Sequence, residues 1–250
     1  MSRYGRSTAI SYSFGPGPMT PAVKVIILTN IAMFVLSLFF QQQLNNYLGL
    51  IPQAVLERGW LWQVGTYMFL HAGPMHILFN MLGVWMFGTE LERAWGTHAF
   101  SKYYAITGVG AGVVAVAASF LPIDALQASY SAVTIGASGA LFGLLLAYAM
   151  RWPERPILLI LIPVPAKYFV MIYGALALLS VTDPRVSAAA HLGGLLVGYL
   201  YLRNGRGGGI TAEIKYRYLK WKMNRMRRKF DVYSGGRSGS EKERWDRNVH

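Results

Sequence analysis

The stretch Ile135-Gly136-Ala137-Ser138-Gly139-Ala140-Leu141-Phe142-Gly143 sets a hydroxyl among small residues at the head of an apolar run that reaches Met150. A serine in such a run ordinarily bonds back to its own backbone or to a neighbouring helix. Its weight therefore depends on what the rest of the chain places at the same depth. Of the 250 residues, 54% are hydrophobic and 14% charged, where a soluble domain carries about a quarter charged residues. Apolar runs recur at Val25–Phe40, Met75–Phe87, Tyr104–Leu121, Ile135–Met150, Ile157–Leu179 and Ala188–Leu202. A helix crossing a bilayer needs roughly 17–25 apolar residues. The pattern predicts an all-α membrane protein, a six-span bundle over residues 21–204, between an N-terminal segment 1–20 and a basic tail 205–250. The second span is expected to begin upstream of its run, near Gln63. The fifth is interrupted by Pro163 and Pro165, so its regular helix is expected from about Ala166. Val25–Phe40 is followed by Gln41-Gln42-Gln43 and no small-residue cleavage pattern, and is read as a span. With no cysteine in the chain, disulfides and thiolate metal sites are excluded.

Charge orients the bundle. Arg3, Arg6 and Lys24 precede the first run, Arg93 and Lys102 follow the second, and Arg151, Arg155 and Lys167 follow the fourth. The alternate loops hold only Arg58 and Arg185, which places both termini in the cytoplasm by the positive-inside rule. Trp60 and Trp62 suit an outer interface. From Arg203 onward, 14 Lys and Arg stand against 5 Asp and Glu, so most of the net charge of +13 lies in the tail. There Leu219, Met223, Met226 and Phe230 fall at helical spacing among Lys220, Lys222, Arg225, Arg227, Arg228 and Lys229. Beside a span, this reads as an amphipathic helix on anionic lipid headgroups, with no nucleic-acid partner expected. The end from Ser234-Gly235-Gly236 onward reads as flexible.

Strongly polar residues inside spans are costly and are candidates for function. At 1.5 Å per helical residue, Ser138 lies about 20 Å from the inner edge marked by Arg151. Asn80 lies about 20 Å from Arg93, and His191 about 18 Å from Arg203. His76 is one turn beyond Asn80. In a hydrocarbon core about 30 Å thick, all four occupy the outer half. They come from spans two, four and six, which run in one direction. Two small-residue pairs, Gly139 with Gly143 and Gly194 with Gly198, let helix backbones approach closely. If those faces pack together, Ser138 and His191 meet. His76 and Asn80, at i and i+4, share one helix face and offer donors suited to a developing oxyanion. His71 reads as a partly hydrated neighbour near the outer interface. Glu90, Glu92 and Arg93 read as a solvated or capped inner helix end.

Gly136-Ala137-Ser138-Gly139, His71-Ala-Gly-Pro-Met-His76-Ile-Leu-Phe-Asn80 and Ala190-His191-Leu192-Gly193-Gly194 together resemble the rhomboid intramembrane serine proteases, over about Pro21 to Leu202. The Gly-x-Ser-Gly motif alone is weak, whereas the three motifs in this order on alternate spans are specific. The resemblance implies a Ser138–His191 dyad and an oxyanion site formed by His76, Asn80 and the Ser138 N–H. Gly136, Gly139, Phe142 and Gly194 support that site. The resemblance needs neither metal nor cofactor. It implies transmembrane proteins as substrates, with lateral entry past Lys167–Ser180 and the Val181–Ser187 loop. Two departures stand out. The family commonly has Trp-Arg in the first outer loop, where this chain has Trp62-Gln63. Some members have a tyrosine one turn after the serine, where this chain has Phe142. These leave loop anchoring and histidine placement open.

Two other readings compete. A rhomboid-like pseudoprotease would bind transmembrane segments without cutting them, and such members typically lack the serine or the histidine. A transporter would show paired broken helices in two halves, and this chain has none. The absence of an organellar targeting segment suggests a prokaryotic cell membrane. Substrate, cleavage site and oligomeric state are not encoded legibly.

Overall fold

Residues 16–159, 162–179 and 188–205 are described in a computed structural model. The expected basic helix and flexible end of the tail lie outside these residues, as does the Val181–Ser187 loop. The chain divides into two compact units, Met1–Leu202 and Arg203–His250. The first contains the apolar runs and every candidate site residue.

Most of the described residues of that unit are helical, as the apolar runs predict, with one two-stranded hairpin besides. Two helices among the described residues are long and apolar enough to cross a bilayer: α1 (Pro21–Leu48) and α6 (Thr97–Ala118). Proline opens α1 at its first position, where its missing N–H costs nothing. Phe40 leaves helical geometry (φ −131°, ψ 33°) and kinks it. After α1 come two short helices, α2 (Pro52–Glu57) and α3 (Gln63–Thr66), and a 3₁₀ turn at Tyr67–Phe69.

The second apolar run does not begin near Gln63. The chain breaks from helix at Leu70–Gly73 and restarts at Pro74. From there α4 (Pro74–Gly83) passes through a π turn at Val84–Gly88 into α5 (Thr89–Trp95). The short α7 (Asp124–Ala128) precedes α8 (Ser138–Arg151), which starts at the serine itself. The fifth run divides as its prolines require. Pro156–Leu159 (β1) and Ile162–Pro165 (β2) form an antiparallel hairpin, and α9 (Ala166–Leu179) begins where the prolines stop. Finally α10 runs from Ala188 to Gly205.

The core joins α1, α4–α6, α8 and α9; Val23, Leu91, Phe100, Tyr103 and Leu144 are fully buried in it, with Met81 of α4 and Phe169 of α9 beside them. Side-chain hydroxyls bind helix to helix across small residues. Tyr103 Oη donates to Gly143 O at 2.7 Å, and Tyr67 Oη donates to Gly108 O at 2.8 Å. Without a hydrophobic difference between lipid and protein, such close contacts carry much of helix association.

Glu92 does not lie in solvent. It is 3% exposed, and its carboxylate accepts from Thr20 Oγ1 (2.5 Å), the N–H groups of Ala22 and Val23 (3.0 Å each) and Thr97 Oγ1 (2.8 Å). The Thr20 side chain makes no cap of its own, so a carboxylate from α5 caps α1. Arg93 donates to the carbonyls of Pro16 and Pro18, and Trp85 Nε1 to that of Gly17 (3.2 Å). Burial alone would raise the Glu92 pKa, but the four donors outweigh it and hold the carboxyl below its ordinary value.

Candidate active site

Three backbone fixtures deliver Ser138 to its place. Leu50 and Thr134 exchange hydrogen bonds (2.9 and 2.8 Å), pinning the approach to α8 against the segment after α1. The Gly136 N–H then donates to Tyr67 O at 3.0 Å. Gly136 takes φ +126°, a conformation that only glycine adopts without strain. Two residues later α8 begins. Ser138 is its first residue, in the turn where backbone N–H groups lack intrahelical partners and the helix dipole is positive.

The first turn of α10 brings His191 to the same point. Its Nε2 lies 2.8 Å from Ser138 Oγ. The approach depends on missing side chains, for a Cβ on Gly194 would run into the Gly139 carbonyl. Gly139 in turn leaves room for Ala111 and the Tyr67 hydroxyl; its own Cβ would stand 2.7 Å and 3.0 Å from them. The Phe142 ring, one turn along α8, stacks on the imidazole with centroids 4.5 Å apart and planes 13° from parallel. The departure at this position thus keeps the stacking surface and lacks only the hydroxyl.

His76 and Asn80 come from α4. The Ala72 N–H donates to His76 Nδ1 at 3.3 Å, which makes Nδ1 an acceptor and puts the proton of a neutral ring on Nε2. That nitrogen faces the backbone before the serine. The position that a Gly136 Cβ would occupy is 2.8 Å from His76 Nε2 and 3.7 Å from Ser138 Oγ. Any side chain at Gly136 would therefore run into the His76 ring, so the glycine lets that imidazole close on the backbone beside the serine. Asn80 is buried, and its Nδ2 donates one hydrogen to His76 O at 2.9 Å, with no acceptor for the second among the described residues. Its Oδ1 has no partner among the described residues.

Two residues take roles that the sequence alone leaves dark. His71 is buried, not hydrated. It meets His76 edge-on at 5.0 Å, and neither ring nitrogen has a partner among the described residues. Gln63 is fully buried at the base of the first loop. Its Oε1 accepts from Ile51 N–H (3.0 Å), and its Nε2 donates to Asn46 O (3.1 Å) and Tyr47 O (3.4 Å). Trp62 Nε1 also donates to Tyr47 O, at 2.8 Å. A carboxamide thus anchors the loop through both of its ends. Only its place after Trp62 could have signalled that. Among the described residues, no group of three or more His, Cys, Asp or Glu is placed to hold a metal ion.

A serine at a helix start, an imidazole on its hydroxyl and a second imidazole against the preceding glycine are the makings of a serine hydrolase. The rhomboid domain signature matches residues 58–204, more than half of the chain, and the chain belongs to the rhomboid family, whose members are membrane proteins. It is similar to "Rhomboid protease AarA" of Providencia stuartii, 26% identical over 199 residues covering 70% of this chain and 69% of that protein. It is also similar to "Putative rhomboid protease YdcA" of Bacillus subtilis, 31% identical over 147 residues covering 58% of this chain and 67% of the other. "Rhomboid protein 1, mitochondrial" of Saccharomyces cerevisiae is 32% identical over 137 residues, 53% of this chain. The chain covers only 38% of that yeast protein and 46% of the Arabidopsis thaliana "RHOMBOID-like protein 5", so it spans about half or less of several relatives.

Proposed function

We propose that this protein is an intramembrane serine endopeptidase that cuts single-span membrane proteins near the outer leaflet. The observation that carries the reading is the 2.8 Å approach of His191 Nε2 to Ser138 Oγ at the start of α8. A free hydroxyl is a poor nucleophile at neutral pH, so Ser138 needs the imidazole as general base. His191 takes the serine proton as Oγ attacks the scissile carbonyl, then gives it to the leaving amine. A second cycle, with water in place of serine, releases the acyl group. The oxyanion is held in this reading by His76 Nε2–H, the Ser138 N–H and the Asn80 carboxamide, a reading supported by the closeness of the His76 ring to Gly136 and of Asn80 to His76. The positive end of α8 favours the charge further. Phe142 holds the imidazole plane, and Gly139 and Gly194 hold the two helices at the separation that the proton transfer needs.

Helical peptide bonds are closed by their own hydrogen bonds, so a substrate span must unwind at small or helix-breaking residues before its carbonyl is available. The reading puts six spans in a prokaryotic cell membrane with both termini cytoplasmic, α9 flanking the entry path and the basic tail on anionic lipid. The bacterial relatives and the charge alternation support it. Reaction of the detergent-purified protein with a fluorescent fluorophosphonate, beside Ser138→Ala and His191→Ala, tests the chemistry. Labelling of the wild type alone is expected. A folded wild type that takes no label would favour a pseudoprotease that binds spans without cutting them.

A further inference from the structure

Between α8 and α9, the β1–β2 hairpin pairs Pro156 with Pro165, Ile157 with Val164, Leu158 with Pro163 and Leu159 with Ile162. Opposed pairs in an antiparallel ribbon alternate between those that exchange two hydrogen bonds and those that exchange none. Proline has no N–H, so its two pairs take the second kind. Ile157–Val164 and Leu159–Ile162 take the first. Residues of the unbonded pairs turn their N–H positions outward. Of these four positions, Pro156, Leu158, Pro163 and Pro165, three are prolines, and the free edge of β2 has no donor at all.

Proline on an edge also guards against strand addition in water, usually together with lysine or other charge. This hairpin instead exposes apolar groups: Ile162 is 67% exposed, and Pro163 is exposed beside it. Its rim pairs cations with aromatic rings. Arg151 lies over Trp152 at 5.4 Å, Arg155 over Trp152 at 5.7 Å, and Lys167 over the half-exposed Tyr168 at 4.9 Å. An exposed apolar patch bordered by Trp, Tyr, Arg and Lys has the composition of a bilayer interface. Arg155 is already paired with Glu90 (3.0 Å) and Lys167 with Glu154 (2.6 Å), so attraction to anionic lipid is not the main term. The outward carbonyls still need water or headgroups, which sets a shallow depth.

We propose that the β1–β2 hairpin is a lipid-interface anchor, seated at the headgroup–acyl boundary, that holds the start of α9 at a fixed depth. Its base is locked to that helix, with Ala166 N–H donating to Arg155 O (2.9 Å) and Lys167 N–H to Pro153 O (3.1 Å). The proposal rests on the membrane-embedded reading above. Because the chain has no cysteine, Ile162→Cys carries a single nitrobenzoxadiazole probe. Leu38→Cys, on the exposed face of α1, serves as the reference for a buried span. Both labelled proteins go into phosphatidylcholine nanodiscs containing lipids with a doxyl quencher, either high on the acyl chain or near its methyl end. Unchanged thermal melting shows that each variant is folded. The Ile162 probe is expected to be quenched about twofold more by the shallow lipid than by the deep one, as for an interfacial segment, and the Leu38 probe more by the deep lipid. An unquenched Ile162 probe beside a quenched Leu38 probe overturns the anchor and leaves the hairpin in water or under a protein partner. If neither probe is quenched, the membrane-embedded reading itself fails.

Discussion

Two polar clusters among the described residues, a half-buried one at Ser138 and a buried one at Glu92, are built on opposite terms. The Glu92 carboxylate is saturated, with four donors from two segments of chain, Thr20–Val23 and Thr97. Around Ser138 the polar groups are left short. Asn80 Oδ1 and both nitrogens of His71 have no partner among the described residues. An unpaired buried polar group costs about 1–3 kcal/mol. A fold can carry that cost where a visiting group completes the bonds. Asn30, Thr89 and Tyr104 also keep an unpaired buried atom among the described residues, so the contrast is between these two corners: Glu92 joins helices, and in the proposed protease the groups left short near Ser138 would be completed by a substrate.

The sharpest break in that comparison comes from the nucleophile and its base. Ser138→Ala or His191→Ala is expected to abolish proteolysis of a transmembrane substrate, a loss of about 10⁴-fold or more, with the melting temperature held. Residual cleavage by a folded Ser138→Ala sample would sink the assignment. Asn80→Ala is expected to lower kcat by about 10²-fold through loss of one oxyanion donor, with KM little changed. Unchanged turnover would remove Asn80 from the site.

Glu92→Gln tests the other side of the contrast. It should cost about 2 kcal/mol of stability, read by denaturation in detergent, because donors aimed at a carboxylate lose their charged acceptor. Protein that remains folded should keep its fluorophosphonate reactivity. The sign with pH comes from the depressed pKa of Glu92. Its stabilisation is complete above the ordinary glutamate pKa and is lost as the pH falls through the lower, folded-state value. Acid melting should therefore weaken the wild type more steeply than the glutamine variant. The smallest effect expected is that of Phe142→Tyr, within about threefold in kcat, since the stacking surface already present contributes about 1 kcal/mol. A large gain would show that the missing hydroxyl matters for placing His191.

Much of this is legible in the chain, and the rest is hidden for physical reasons. The meeting of Ser138 and His191 is legible because charges mark the ends of their helices and small residues mark the faces that pack. Two prolines point to a start of α9 at Ala166, whereas the start of α8 at the serine itself needs the fold. The break before Pro74 is harder to see, since a proline there is compatible with a kink inside one longer helix as well as with a fresh start. The π turn at Val84–Gly88 leaves no compositional trace. The Glu92 corner is opaque because its partners lie about 70 residues earlier in the chain. No local pattern separates a carboxylate that meets water from one that meets the start of another helix. Gln63 is visible only as a departure, and its three bonds need the fold.

The carboxylate of Glu92 also separates two boundaries that are easily confused. The recognisable rhomboid signature begins at residue 58, well after α1. A chain cut there would keep Glu92 in the core and discard three of its four donors, stranding a negative charge in a low-dielectric interior. What a family shares and what can fold alone are different units here. The smaller one would be completed in trans by a peptide carrying Thr20 through the first turns of α1.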